Sequence, residues 1–396
     1  MWIKNVLLPD REYRFAPGCV HTKKDRIREV FLFSSESEAA SFSCDEGEEI
    51  LDGHGGYLLP GMIDIHLHGC MGADICDGTI GAFEKAAAFE ASRGLAAIVP
   101  AVMTLPADRL KEILSCAAAF KKKQDLSFDP RLASLEGINM EGPFISPHRC
   151  GAQDPAWILP RSSRLFFDFQ QAAEGLVRLV AIAPEEPSDE SVKDFIDNIG
   201  GSAIVSLAHT NADYAAAMSA FSLGASHAVH LFNAMPGLRH REPGTVGAVL
   251  DSPGVSAELI CDGVHVHPAV IRMAFSLLGP ERILLVSDSM RAAGLGDGLY
   301  TLGGQAVRVR GKEARLLKDG ALAGSVTPLP DCVRFLVKEA GIPLEAAVRS
   351  ASLTPAKKLG LEKDYGSVLP GRLACLSLWN RDLAQEAVIN RGVRII

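Results

Sequence analysis

Between Tyr57 and Asp288 the chain repeats one pattern eight times: a short, near-continuous apolar run, then a stretch that reads as helix or loop. The runs cover residues 60–69, 95–103, 132–141, 176–183, 202–209, 225–230, 255–265 and 282–288. Strands without polar alternation are buried on both faces, which is the habit of parallel sheets covered by helices. Punctuation agrees with this. Ile80 to Arg93 is an alanine-rich helix closed by Gly94, a helix runs from about Pro106 to Lys123, and Pro268 opens another at the first helical position. Eight such units predict an α/β fold, a (β/α)8 TIM-type barrel over residues 55–360. An open doubly wound sheet would need a glycine-rich dinucleotide loop after the first strand, and the Gly69-Cys-Met-Gly72 turn is not one.

The chain ends read differently. Residues 1–54 suggest short strands, such as Val30-Phe-Leu-Phe33, with a Ser- and Glu-rich surface hairpin or loop over residues 34–49. Residues 361–396 return to strand pattern, and pairing of the two ends predicts a small β-sandwich domain. With 396 residues the chain can fill one large and one small domain. A net charge of -8 argues against general nucleic-acid binding. Nine cysteines without a C-x-x-C pair suggest reduced thiols and a cytoplasmic protein. The N-terminus does not read as a signal peptide, and no apolar stretch is long enough to span a membrane.

Chemistry is expected at the strand tips, because function gathers at the C-terminal mouth of a parallel barrel. His209 ends Ala203-Ile-Val-Ser-Leu-Ala-His209 and His230 ends Ala225-Ser-His-Ala-Val-His230. His66 and His68, two apart on a strand, point to one face. Glu141 ends the third run, where a carboxylate is costly unless paired or bound to a metal. Together these five predict a divalent-metal site, since imidazole with carboxylate suits zinc, iron, manganese or cobalt. Zinc leads, with one or two ions per subunit. Asp288 ends the eighth run and is the candidate base for an activated water, the other reading being a helix cap. Asn233, Arg241 and His265 are candidate anion-binding groups, and the glycine-flanked stretch after Gly320 is a ligand-facing loop or a plain turn. His21, His54, His148, His227, His240 and His267 read as structural or surface residues.

Pro60-Gly-Met-Ile-Asp-Ile-His-Leu-His-Gly69, Met140-Glu-Gly-Pro-Phe144, Ala208-His-Thr-Asn-Ala212, His230-Leu-Phe-Asn-Ala-Met-Pro236, Arg241-Glu-Pro-Gly244, Cys261-Asp-Gly-Val-His-Val-His-Pro268, Val286-Ser-Asp288 and Leu322-Ala-Gly-Ser325 occur in that order. This set resembles the N-acetylglucosamine-6-phosphate deacetylase family of the amidohydrolase superfamily, from about residue 58 to the C-terminus. The H-x-H pair is shared across the superfamily, whereas His-Leu-Phe-Asn-Ala-Met-Pro followed by Arg-Glu-Pro-Gly is far more specific. The resemblance implies metal-dependent removal of acetate from N-acetylglucosamine 6-phosphate. Glu141, His209 and His230 would hold the main metal. His66 and His68 would hold a second one, with Glu141 bridging, and Asp288 would be the base and then the acid. Ala152, Gln153, Asn233, Ala234, His265, Leu322, Ala323 and Gly324 would contact substrate. Arg241 would reach the sugar phosphate from the neighbouring subunit of a homodimer.

Two departures stand out. Gln153 occupies a position where several relatives carry histidine, and Leu373-Ala-Cys-Leu376 replaces a more usual Ala-Asp-Leu. The alternatives are the same chemistry on N-acetylgalactosamine 6-phosphate, a cyclic-amide hydrolase of the dihydroorotase kind, and a non-catalytic scaffold. The cyclic-amide hydrolases use a lysine at the fourth strand, and Leu176-Val-Arg-Leu-Val-Ala-Ile-Ala183 has none. A scaffold would have lost ligands, and here all are present.

Overall fold

The structure is a computed structural model describing residues 1–43 and 47–396. Both chain ends build one seven-stranded sheet. Its order is Val393–Arg394, Gln385–Asn390, Leu376–Trp379, Ile50–Pro60, Trp2–Pro9, Phe15–Lys23, Arg26–Leu32. The ends meet where Leu376–Trp379 runs antiparallel to Ile50–Pro60, with Trp379 opposite Tyr57. The expected sandwich is thus a single ladder folded over its own core: Ile27 N–H donates to Arg372 O and Ala374 N–H to Asp25 O. Ile3, Leu8, Val20, Leu58, Leu378 and Ile389 fill that core. The stretch expected as a surface hairpin or loop instead forms a short helix, Glu36–Ser41, because Ser35 accepts from the Glu38 N–H as its cap. Cys44, Asp45 and Glu46 of that stretch lie outside the described residues.

The middle of the chain is mixed α/β around curled, buried parallel sheets. Met62–Asp64, Leu95–Ile98 and Ser134–Leu135 form one. Ala101–Val102, Ile138–Met140, Val177–Ile182, Ile204–Leu207, His227–Ala228, Ser256–Ile260 and Ile283–Val286 form the other. The second predicted run belongs to both sheets. It breaks at Pro100, which has no N–H to donate to a ladder. Its neighbour is held on either side of the break, by Glu136 N–H to Ile98 O and by Asn139 N–H to Pro100 O. At the far edges Asp288 N–H donates to His66 O at 2.9 Å and His68 N–H to Ser289 O at 2.7 Å. The last and first runs therefore touch through main chain.

Several elements were not predicted. Ser163–Ala172 is a helix, capped by Ser162 and seated on Phe166 and Phe169, in a stretch before the fourth strand to which the sequence reading assigned no element. Gly244–Asp251 is a further helix. Gly298–Leu302, Gln305–Arg310 and Glu313–Leu316 form a three-stranded antiparallel meander. It buries Val307 and Val309 on one face and exposes Arg308 and Arg310 on the other. Its underside packs on Met103, Met290 and Ala323 and roofs one side of the site. Among the described residues no helix is long and apolar enough to cross a membrane.

Candidate metal centre

The strand tips place five predicted ligands around one point. Glu141 is the hub. Its Oε1 lies 2.8 Å from His209 Nε2, 3.2 Å from His230 Nε2 and 3.6 Å from His66 Nε2; its Oε2 lies 3.5 Å from His68 Nε2. Asp288 Oδ1 completes the ring, 3.1 Å from His68 Nε2 and 3.7 Å from His66 Nε2. All six groups are buried. Two overlapping triads, His66–His68–Glu141 and Glu141–His209–His230, have ligand atoms close enough to share an ion.

The second ring nitrogens decide what this cluster needs. His209 Nδ1 faces Arg149 O at 2.8 Å, His230 Nδ1 faces Asn233 O at 3.2 Å and His68 Nδ1 faces Ala101 O at 3.3 Å. A carbonyl only accepts, so each Nδ1 is the N–H donor and each Nε2 of a neutral ring carries a lone pair. Those lone pairs converge on carboxylates. His209 Nε2 and His230 Nε2 are 3.1 Å apart, while His66 Nε2 and Glu141 Oε2 have no hydrogen-bond partner among the described residues. Such an excess of buried acceptors calls for a cation at the centre. The ionisation tendencies express the same imbalance. Burial opposes charge on His66, yet Glu258 and Glu141 raise it well above the ordinary histidine value. Burial would push Glu141 up, but His209, His230 and His66 hold it well below the usual carboxylate range. Asp288 is likewise held low against its burial, chiefly by His68.

A layer beneath the ligands escaped the sequence reading. Glu258, fully buried on Ser256–Ile260, takes His66 Nδ1–H at 2.8 Å and the His230 N–H at 3.1 Å on Oε2. Its Oε1 lies 3.3 Å from His227 Nε2. Burial favours its acid form, yet His66 and His227 hold it far below the normal range. Asp64 accepts from the His66 and Ser287 N–H groups, and burial lifts it to about 7. A carboxylate inside a five-residue buried run is the signal that could have found Glu258.

Above the ligands lies a cleft of about 380 Å³. Ala152, Gln153, Asn233, Ala234, His265, Leu322 and Gly324 all line it. Gln153 Oε1 accepts from the Thr104 N–H, and its Nε2 is buried without a hydrogen-bond partner among the described residues. His265 Nδ1 lies 2.7 Å from Asp262 Oδ2; burial favours its neutral form, but Asp262 raises it above the ordinary value. Ser325 N–H donates to Asp288 O, locking the Leu322–Gly324 loop beside Asp288. Ala323 is buried in the roof and does not line the cleft. Gly324 has φ +64°, and a Cβ there would meet Asp288 O at 3.0 Å, so only glycine fits.

The structure also places Arg241, His148 and His227. Arg241 is exposed and lines a neighbouring surface cleft, because its loop leads away from its own strand tip. His148, expected to be structural or surface, is exposed but also lines the active cleft, and Arg149 beside it does the same. His227 is structural as expected, fully buried in the Glu258 network.

Known proteins agree with this geometry. The amidohydrolase family description matches residues 57–394. The N-acetylglucosamine-6-phosphate deacetylase of Bacillus subtilis (strain 168) is 39% identical over 336 residues, 85% of this chain and 83% of that protein. The N-acetylgalactosamine-6-phosphate deacetylase of Escherichia coli O157:H7 is 34% identical over 85% of this chain and 86% of its own length. A solved variant of the Mycobacterium smegmatis N-acetyl-D-glucosamine-6-phosphate deacetylase, in complex with N-acetyl-D-glucosamine-6-phosphate, superposes with a TM-score of 0.89 at 30% identity, covering 100% of this chain and 99% of that one. The chain belongs to the amidohydrolase family, on the branch of the N-acetylglucosamine-6-phosphate deacetylases.

Proposed function

We propose that the protein hydrolyses N-acetylglucosamine 6-phosphate to glucosamine 6-phosphate and acetate. The observation that carries this is the convergence of four imidazole Nε2 atoms on Glu141 beside Asp288, at the floor of a cleft that Gln153 lines. Glu141, His209 and His230 would hold one divalent metal, and His66 and His68 with Glu141 a second; zinc suits this donor set, as do iron, manganese and cobalt. Bound metal supplies a Lewis acid that acidifies water and polarises the acetyl carbonyl. Asp288, kept ionised by His68, takes a proton from the attacking water. Gln153 donates to the carbonyl oxygen as the new C–O bond forms. The C–N bond then breaks, and Asp288 returns the proton to the departing amine. Ala152 and the Leu322–Gly324 loop flank the sugar, while Asn233, Ala234 and His265 face its phosphate end.

We further read the two parallel sheets as arcs of one eight-stranded barrel; the main-chain bonds from Asp288 to His66 and from His68 to Ser289 support it. The fold boundaries then fall where strand Ile50–Pro60 leaves the terminal sheet and where the chain rejoins that sheet after about residue 360. A homodimer is part of this reading. Arg241 is exposed and lies off its own cleft, which suits a role in the partner's site. Seven of the described cysteines, Cys261 and Cys332 among them, are free thiols, in keeping with the cytoplasm. N-acetylgalactosamine 6-phosphate is the second reading, favoured by the relative named for that activity. Acetate release from a panel of N-acetyl hexosamines, each with and without 6-phosphate, separates the two. The first reading expects the gluco phosphate to be fastest; a faster galacto phosphate selects the second, and no release from any phosphorylated sugar rejects both.

A further inference from the structure

Among the described residues Arg149 is the only arginine or lysine lining the cleft above the metal centre. Two carboxylates, Glu141 and Asp288, sit on the cleft floor, and the whole chain carries a net charge of -8. A substrate with a phosphate near charge -2 enters that field only against fixed positive groups. His265, paired with Asp262, lines the wall formed after Ser256–Ile260. Arg149 offers a full positive charge, on the loop that follows Glu141.

The side chain is held at its root and free at its tip. Nε donates to Asn211 Oδ1 at 2.9 Å, which fixes the direction of the guanidinium. Among the described residues neither terminal nitrogen has a hydrogen-bond partner and no carboxylate forms an ion pair with it. The backbone beneath is fixed as well: Arg149 O takes His209 Nδ1–H, Arg149 N–H donates to Ser146 O, and Ser146 N–H donates to His209 O. A half-exposed arginine with a pinned stem, two free parallel donors and no anion is suited to grip an oxyanion through paired bonds. Arg149 also lines the adjacent surface cleft with Arg239 and Arg241, so it stands at the wall between the two spaces.

We propose that Arg149 reads the 6-phosphate from within the same subunit and sets the preference for phosphorylated over unphosphorylated sugars. The proposal rests on the substrate class inferred above and adds a second guanidinium, independent of any partner subunit. The test has two arms. In the first, kcat/KM is measured for N-acetylglucosamine with and without 6-phosphate in wild type, Arg149→Ala and Arg149→Lys, with metal content and melting temperature checked for each. Arg149→Ala should lower kcat/KM on the phosphate about 10- to 100-fold, the range of a lost charged hydrogen bond, mainly through KM. The loss on the unphosphorylated sugar should be far smaller, and lysine should restore part of the phosphate preference because it keeps the charge without the fork. Equal losses on both sugars would mean that Arg149 acts only by supporting His209, and would overturn the proposal; so would no loss on either.

The second arm titrates inorganic phosphate calorimetrically into wild type and both variants, and needs no turnover. Weaker binding in Arg149→Ala supports the proposal, and unchanged affinity refutes it. If wild type deacetylates no hexosamine phosphate, the substrate reading fails while this arm still decides whether Arg149 binds phosphate. If Arg149→Ala does not fold, the lysine variant carries both arms: its KM for the phosphate should rise, and an unchanged KM and phosphate affinity would refute a forked grip.

Discussion

Glu258 touches no substrate, yet its replacement should weaken the metal centre. Its Oε2 takes two N–H donors, one from the His66 ring and one from the His230 main chain, and Oε1 faces His227. Glu258→Gln keeps shape and one acceptor. The amide oxygen can replace Oε2, and its NH2 can face His227 if that ring presents an unprotonated Nε2. What is lost is the charge that makes His66 a stronger donor to a metal. Partners of this kind are worth about 10- to 100-fold in metal affinity, or about 1.4 to 2.8 kcal/mol at 1.4 kcal/mol per decade. Glu258→Ala removes the acceptor itself and strands two buried donors, at about 1 to 3 kcal/mol each, so it should cost stability as well as metal. The assay is competition for zinc against a chromophoric chelator, with chemical unfolding of the metal-free proteins alongside. The expected order is wild type, then Gln with weaker metal and near-normal stability, then Ala impaired in both. A Gln variant that binds zinc within about threefold of wild type would refute the claim that the Glu258 charge tunes His66.

Chelator treatment should abolish deacetylation and added divalent metal should restore it; full turnover in protein shown by elemental analysis to be metal-free would contradict the mechanism. Asp288→Asn should retain fold and metal but lose about two or more orders of magnitude in turnover, and a variant within about threefold of wild type would put the base elsewhere. Gln153→Ala should slow turnover with metal content unchanged, since Gln153 meets Thr104 and the cleft rather than the ligands; loss of metal would contradict that geometry. Glu90 is fully buried with neither carboxylate oxygen bonded, and burial raises it from 4.5 to about 8. The folded state therefore keeps a proton that the unfolded chain gives up above about pH 4.5, so stability falls as pH rises from there toward 8. Glu90→Gln should raise the melting temperature at pH 8 and change it little at pH 4, and an equal effect at both would show that Glu90 is not protonated in the fold.

The His–Glu cluster with Asp288 was legible in the sequence because each of its residues violates the apolar run it ends. Histidines and carboxylates at the ends of buried strands have few inexpensive explanations, and the run ends align at one mouth once the strands are parallel. Glu258 sits inside its run rather than at the end, and was read as part of a strand. The Ser163–Ala172 helix was hidden because it presents only Phe166 and Phe169 to the core in its ten residues. The Gly298–Leu316 meander packs on side chains from Met103 to Ala323, a partner set that local pattern does not reveal. Arg149 lies on a loop, where no periodicity reports direction. Its role emerges only from what it faces.

The three tip residues His209, His230 and Asp288 share a backbone feature: φ is 43°, 31° and 49°. Left-handed geometry costs a side chain with a Cβ roughly 1 to 2 kcal/mol, and such strain persists where surroundings over-determine it. Here the neighbouring strands do so. Ala208 N–H is held by Ile182 O, Thr210 N–H by Ala234 O, Leu231 N–H by Glu258 O and Asp288 N–H by His66 O. Each tip is fixed by main chain from an adjoining segment, so ligand positions depend little on what the loops above them contain. The loops are then free to change chemistry without disturbing the metal centre. Gln153, expected to stand where several relatives carry histidine, has its Oε1 tied to the Thr104 main chain and its Nε2–H buried without a partner among the described residues. A glutamine there preserves a donor and forgoes a charge. The charge for recognising an anionic substrate can then come from Arg149, which lies on a loop as well.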